Sequence, residues 1–311
     1  ARALGTAMKR SIHIHVPATS ANLGPGFDSL GLALNLYDRF AVEPADAVVI
    51  EGCAAEHANE DNLFVRAYRR GLEELGLPFR GIRLRFDADI PIARGLGSSS
   101  ACIVGGLLAA QAAGEDECRS GSLDRQALLD LATELEGHPD NVCPALLGGF
   151  AVSILEGRRV STIRADVEEG LVFNALVPPF PLETAKARAA LPDRIGFRDA
   201  AFNAGRAAMV AAAFLSRDYG KLDLACRDRL HEPFRAPLIE GFREIEEAAR
   251  ESGALAVFLS GAGPTIMAIC GAEEARFVEA MRPLLEGRSS GSWRLLSLRP
   301  DNAGALVRAS A

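Results

Sequence analysis

The sequence predicts a mixed α+β protein built as two domains. Three observations carry this expectation. Short segments such as 11–16 and 82–87 alternate apolar and polar residues, the two-residue period of half-buried strands. Longer segments rich in Ala, Leu, Ile and Val and free of Pro, such as 101–113, read as buried helices. The two kinds do not alternate regularly, which argues against a parallel βαβ array. A chain of 311 residues is ample for two cores. Polar and charged residues over 158–169 interrupt the pattern and suggest a division into 8–160 and 161–311.

The elements follow in order. Strand 11–16 leads into 17–28, a polar loop rich in Gly and Pro. An apolar stretch over 30–36 and strands at 40–43 and 47–51 come next. Asp61-Asn62 can cap a helix that runs to 75. Strand 82–87, helix 101–113 and a helix over 123–136 follow, the last ended by Gly137-His138-Pro139. A further apolar stretch covers 146–154. Beyond the division, 171–177 is a strand and 178–181, with three prolines, a stiff loop. Helices are expected over 198–215, 221–228 and 240–251, then strand 254–259, a Gly-rich loop at 260–265, strand 266–270 and helix 273–285. His13 and His15 share one face of the first strand and read as surface positions, with a metal pair as the alternative. No internal repeat appears, and residues 1–7 are set aside from the fold reading.

Composition narrows the function classes. A net charge of −7 argues against nucleic acid as a partner, and no apolar run reaches membrane-spanning length. Six scattered cysteines with no CxxC pair read as reduced thiols, several in apolar runs, which points to the cytoplasm. Lysine occurs only at 9, 186 and 221, so a catalytic lysine would have to be one of these.

One octet stands out: Arg94-Gly95-Leu96-Gly97-Ser98-Ser99-Ser100-Ala101, directly ahead of an apolar helix. A helix start exposes unpaired N–H groups and the positive end of the dipole, and glycine lets backbone approach a bulky anion. The octet therefore reads either as a phosphate cradle or as a plain helix cap. It is not a Walker A loop, since no Gly-Lys-Ser/Thr occurs, and Ser100 replaces the third glycine of GxGxxG. The HRD and DFG tripeptides of protein kinases are absent. Two more polar, glycine-bearing loops, PATSANLGPGFD at 17–28 and SGAGPT at 260–265, lie far away in sequence. Three such loops suggest one shared site.

Together these loops resemble those of the GHMP kinase superfamily. Residues 91–99, PIARGLGSS, match the family's P-x-x-x-G-L-G-S-S phosphate loop position by position, and the resemblance runs from about Ile12 onward. Within the superfamily, PATSANLGPGFDSLGLAL, EGHPDNVCPALLGGF, HEPFRAPLIEGF and TAKARAALP resemble the homoserine kinase branch. The resemblance implies a two-domain fold, an N-terminal ribosomal-protein-S5-like domain followed by a ferredoxin-like α/β sandwich. It also implies ATP and Mg²⁺ as cofactors, L-homoserine as substrate, and a homodimer.

Residue roles are implied in the same way. Pro91, Ile92, Ala93, Arg94, Gly95, Leu96, Gly97, Ser98, Ser99 and Ser100 would hold ATP, with Gly261 and Gly263 from the last loop. Asn62 and Leu63 match positions that contact adenine. Ser98 and a glutamate, Glu136 or the alternative Glu134, would hold Mg²⁺, which prefers hard oxygen ligands. Asn22 and Asp28 match positions at the amino-acid end, and Arg188 and Arg235 suit its carboxylate because the guanidinium fork binds bidentately. His138, Asp140 and Asn141 would lie near the hydroxyl and the phosphate, Asp140 being the remaining candidate for a side-chain base. The alternatives are a GHMP kinase for another small alcohol and a ligand-sensing relative without catalysis.

Overall fold

A computed structural model describes residues 10–116, 123–288 and 291–309. The chain opens with β1 (Ile12–Ala21) and β2 (Leu30–Pro44), a long antiparallel pair with a register shift at Pro17/Ala18. The segments expected at 30–36 and 40–43 are one strand, because β2 pairs with β1 from Gly31 to Val42 on both sides of the register shift. β3 (Val48–Glu51) and α1 (Leu63–Glu74) follow. β4 (Ile82–Ala88) buries Ile82, Leu84 and Phe86 and exposes the residues between, as its alternation demands. Next come α2 (Ser98–Asp116), α3 (Arg125–Glu136), α4 (Pro139–Leu147), β5 (Phe150–Glu156) and β6 (Arg159–Ala165).

The second half contains β7 (Val172–Val177), α5 (Thr184–Ala189), α6 (Phe197–Ser216), α7 (Leu222–Ala225) and α8 (Glu232–Arg235). It ends with α9 (Phe242–Glu251), β8 (Ala256–Leu259), β9 (Ile266–Cys270), α10 (Glu274–Glu286), β10 (Arg294–Leu298) and β11 (Leu306–Ala309). Two sheets result. The larger has the order β11-β1-β2-β4-β3, with β5 and then β6 added to β2; the smaller has the order β10-β7-β9-β8. The charged stretch expected to divide the chain is the hairpin turn and β6, and both β6 and β11 belong to the larger sheet. Only the hairpin register and the return of the C-terminus reveal that membership.

Two cores hold these layers. α2 is apolar all round and is buried against β1, α1 and α3. α1 turns Phe64, Tyr68 and Leu72 inward at helical spacing, each burial contributing roughly 1.5–3 kcal/mol. The smaller sheet is covered on both faces. Phe173, Phe258 and Met267 join the first core, while Leu176, Val257 and Ile266 pack with Phe242, Phe277 and Met281 of α9 and α10. Burial on both faces is why β7 reads as an unbroken apolar run. The helix expected over 221–228 ends at Ala225, since Asp228 accepts the N–H groups of Leu230, His231 and Glu232 and turns the chain. Five cysteines within the described residues are free thiols; Cys118 lies outside those residues. Among the described residues, no helix is long and apolar enough to cross a membrane.

Candidate active site

The three glycine loops meet. Thr19 N–H donates to the Leu96 carbonyl, Gly261 N–H to the Ala21 carbonyl, and Thr265 N–H to the Arg94 carbonyl. Side chains complete the seam: Ser260 donates to the Gly95 carbonyl at 2.6 Å and shares a hydrogen bond with Ser20 at 2.8 Å. The glycines serve this packing. A Cβ on Gly95 would lie 2.3 Å from the Ser260 carbonyl oxygen, and one on Gly97 would lie 2.0 Å from Thr19 Oγ1. Both also have positive φ, which side-chain-bearing residues rarely adopt. Gly97 thus makes room for Thr19 Oγ1 while also lining the cavity that these loops border.

Positive φ also occurs at Asn22, Leu23, Asp28 and Ala93, non-glycine residues of these same loops. Such backbone costs about 1–3 kcal/mol per residue and persists where surrounding contacts hold it. The loops border a cavity of about 930 Å³. Ile92, Ala93, Arg94, Gly95, Gly97, Ser98 and Ser99 line it, as do Asn22, Asp28 and Gly261. Pro91, Leu96, Ser100 and Gly263 do not; Leu96 and Ser100 are buried behind the loop. Arg94 spends its guanidinium on the carbonyls of Ile92, Pro178 and Pro179, which ties the loop to the start of the second half.

Helix α2 begins at Ser98, so the three serines form its first turn rather than a cap ahead of Ala101. Ser99 and Ser100 donate to the same oxygen, Oε1 of Glu136, at 2.7 and 2.8 Å. Glu136 lines the cavity, whereas Glu134 points to the surface, paired with Arg70 and Arg158. The two glutamates lie two residues apart on α3, and residues so spaced do not share a helix face. Ser98 and Glu136 thus present a hydroxyl and a carboxylate to the cavity, hard oxygen donors of the kind Mg²⁺ takes.

Gly137, left-handed at φ 92, ends α3, and Pro139 starts α4 one residue after His138. This tight turn carries Asp140 and Asn141 to the cavity on the first turn of α4. Asp140 Oδ1 bonds His138 Nδ1 at 2.5 Å and accepts from Asn141 Nδ2 at 3.3 Å. Asn141 Oδ1 in turn accepts from Thr19 at 2.8 Å, which sets the amide's orientation. Burial alone would lower the His138 pKa, but the Asp140 hydrogen bond and the charges of Asp140, Glu136 and Asp28 raise it above its ordinary value. Oxygen or nitrogen atoms of Asp28, His138 and Asp140 lie within 4.8 Å of one another, a setting that attracts a cation.

At the same end, Arg188 of α5 grips Asp28 with both prongs, at 2.7 and 3.1 Å. Arg235 is 2% exposed and donates to the carbonyls of Ala187 and Gly261. Burial, and then the nearby Arg188 charge, lower its pKa to about 10. Both guanidinium groups lie over the Phe27 ring, 5.4 and 5.2 Å from its centroid. Asn22 donates to the Gly261 carbonyl and accepts from Asp28 N–H, fixing the loop that presents Asp28.

The far end of the cavity is walled by Phe86, Ala88, Ile90, Cys53 and Cys102. Asn62 and Leu63 line it, but the Asn62 amide is engaged as the cap of α1, accepting from Phe64 N–H and donating to the His57 carbonyl. Asp38, buried on β2, bonds Ile90 N–H, and burial pushes its carboxyl up to about 6. Thr19, Ser260 and Asp38 were not singled out by sequence. Thr19 and Ser260 sit inside the glycine loops, so the loops themselves were the available signal; Asp38 shows only as one acid in an apolar segment.

The chain is similar to known proteins over most of its length. The model described as GHMP kinases N terminal domain matches residues 62–149, and that described as GHMP kinases C terminal matches 210–283. The chain is 44% identical over 297 residues to a homoserine kinase of Clostridium botulinum (strain Okra / Type B1), covering 95% of this chain and 98% of that one. It is 43% identical over 298 residues to a homoserine kinase of Clostridium beijerinckii, with the same coverage. Its fold matches the crystal structure of homoserine kinase from Cytophaga hutchinsonii with a TM-score of 0.85 at 28% identity, covering 97% of this chain and 98% of that one. With both family models matched and these relatives aligned nearly end to end, the chain belongs to the GHMP kinases, in the homoserine kinase family.

Proposed function

We propose that this chain transfers the γ-phosphoryl group of ATP to the hydroxyl of L-homoserine, giving O-phospho-L-homoserine for threonine biosynthesis. The observation that carries the substrate assignment is the amino-acid end of the cavity. An anion, Asp28, and two cations, Arg188 and Arg235, stand beside Asn141 and within one cavity with the serine-rich start of α2. A zwitterionic amino acid matches those charges, ammonium to Asp28 and carboxylate to the arginines.

The nucleotide lies along the cavity, its base toward Phe86 and Ile90 and its phosphates at the N-terminus of α2, where backbone N–H groups and the dipole favour negative charge. Ser98 and Glu136 would hold Mg²⁺, which would neutralise phosphate charge when bound. Ser99 and Ser100 hold Glu136 in place, and Thr19 and Asp140 hold the Asn141 amide toward the substrate hydroxyl. Asp140 carries His138 on the same oxygen, so positioning is its principal work. Phosphoryl transfer asks mainly for alignment and charge neutralisation, and no lysine lines the cavity among the described residues. By resemblance to its family, the enzyme would be a cytoplasmic homodimer.

Coupled-assay turnover with homoserine, set against mevalonate, galactose, L-serine and L-threonine, tests the proposal. Homoserine should exceed the others in kcat/KM by orders of magnitude. Turnover of another alcohol with none of homoserine, or binding without turnover, overturns it.

A further inference from the structure

Helix α8 has one end at each of two cavities. Arg235, at its close, lines the first, while Glu232, at its start, lines a second of about 470 Å³. Four arginines border this second cavity: Arg206 on α6, Arg227 and Arg229 in the turn after α7, and Arg250 on α9. Asp228, Glu232 and Glu246 line it as well, and each is already engaged. Asp228 spends its oxygens on Asn203 and on the N–H groups of Leu230, His231 and Glu232. Glu232 is enclosed, and burial pushes its carboxyl well above the usual range, toward the neutral form. Arg250 is held by Asp223 and Glu246, Arg227 by Asp223, and Arg229 by Asp199.

Arg206 differs. Among the described residues it has no ion pair or hydrogen bond, and its Nε is buried without a partner. Its guanidinium carbon stands 3.3 Å from the centroid of the Phe202 ring, and that of Arg229 stands 4.0 Å away. Stacking on an aromatic face leaves the edge of a guanidinium, where its N–H groups lie, available for an oxyanion. Burial, and then the charges of Arg227 and Arg229, lower the Arg206 pKa.

We propose that this cavity is a second ligand site, which takes the phosphate group of a small molecule on Arg206, Arg227 and Arg229. Three guanidinium groups lining one cavity suit a dianion with three acceptor oxygens better than a single carboxylate, which one arginine fork satisfies. The site is wired to the first cavity. Asp228, in its wall, holds His231 N–H; His231 bonds the Gly24 carbonyl at 2.8 Å and faces Arg235 Nη1 at 3.3 Å. Phosphate in the second cavity therefore alters how Arg235 is held, a consequence that rests on the homoserine reading above, whereas the binding itself does not.

Calorimetry on the full chain, saturated with Mg²⁺ and a non-hydrolysable ATP analogue to fill the first cavity, tests this at constant ionic strength. Inorganic phosphate and phosphoserine should each bind saturably, and acetate should not. Arg206→Ala and Arg206→Gln should weaken phosphate at least tenfold, with melting temperature and phosphate-free homoserine kinetics unchanged. The absence of saturable phosphate binding, or binding unchanged in both variants, overturns the site; equal binding of acetate overturns the phosphate assignment. Phosphate should also shift the homoserine KM of the parent but not of Arg206→Ala, and a constant KM overturns the coupling. Loss of the homoserine reading would show separately, as no homoserine turnover at any phosphate concentration.

Discussion

Asp28 and Arg188 lie 160 residues apart in sequence and face each other through two parallel hydrogen bonds of 2.7 and 3.1 Å. Each carries one of the charges that an amino-acid zwitterion would complement. The pair keeps both groups compensated and correctly turned without a ligand, and a substrate can exchange its own ammonium and carboxylate into it. A second link joins loop 17–28 to helix α5: Asn22 and Arg235 both donate to the Gly261 carbonyl, and Arg235 also donates to the Ala187 carbonyl.

Arg188→Ala should raise the homoserine KM by about thirtyfold or more, since losing one partner of a charged pair costs about 2–5 kcal/mol. ATP affinity should hardly change. Arg235→Ala should raise KM and also lower the melting temperature, because it removes a buried donor from the Ala187 carbonyl and leaves the Gly261 carbonyl with Asn22 alone. Arg217→Ala, at an exposed helix end, is the control. Steady-state kinetics with both substrates varied would read these effects, and normal homoserine turnover in both variants would sink the assignment.

Glu136→Gln should raise the Mg²⁺ concentration needed for half-maximal rate far more than Glu134→Gln does. Glu136 faces the cavity with two serine hydroxyls on one oxygen, while Glu134 makes surface ion pairs worth about 0–1 kcal/mol. A magnesium titration of both variants decides it, and the reverse ranking would move the metal role to Glu134.

Gly97→Ala should destabilise the fold and weaken ATP together, as the added Cβ meets Thr19 Oγ1 on a backbone with φ 76. Combining it with Thr19→Ala should recover part of the loss, though not the share due to backbone conformation, about 1–3 kcal/mol. Thermal melting of the two single variants and the double variant forms the cycle. Strict additivity would show that the clash with Thr19 is not the cause.

His138 should titrate above 6.5 in the folded chain, its ordinary value, because Asp140 holds the protonated ring. A raised folded pKa means the pair's stabilisation is fully present below pH 6.5 and is lost as pH rises through the folded value. Asp140→Asn should therefore cost more stability at pH 6 than at pH 8. Denaturant unfolding at both pH values, with histidine NMR titration, measures it; an equal cost at the two values contradicts the sign.

Much of the fold was legible where one local signal sufficed. The strict alternation in β4, the capping Asn62 ahead of α1 and the apolar run of β9 each follow from period or cap chemistry. Elements whose cause is distant were not. β6, polar enough to read as linker, and the four-residue β11, too short to show a period, are strands because β5 and β1 offer them free edges. α4 was hidden by Pro139, which looks like a helix end until Gly137 is seen to close α3 just before it.

Sequence alone determined the glycine-serine loops, the family to which they belong and the residue types available for chemistry, since these depend on local composition and spacing. Tertiary structure decided which residues use them. It turned Glu136 rather than Glu134 into the cavity, committed Arg94 to backbone carbonyls, gave Gly97 the task of clearing Thr19, and stacked Arg206 on Phe202 beside a second cavity with no ion pair among the described residues. The physical reason is that hydrogen bonds, ion pairs and close backbone approaches join residues distant along the chain, and a pattern read along the sequence contains the candidates but not their pairings.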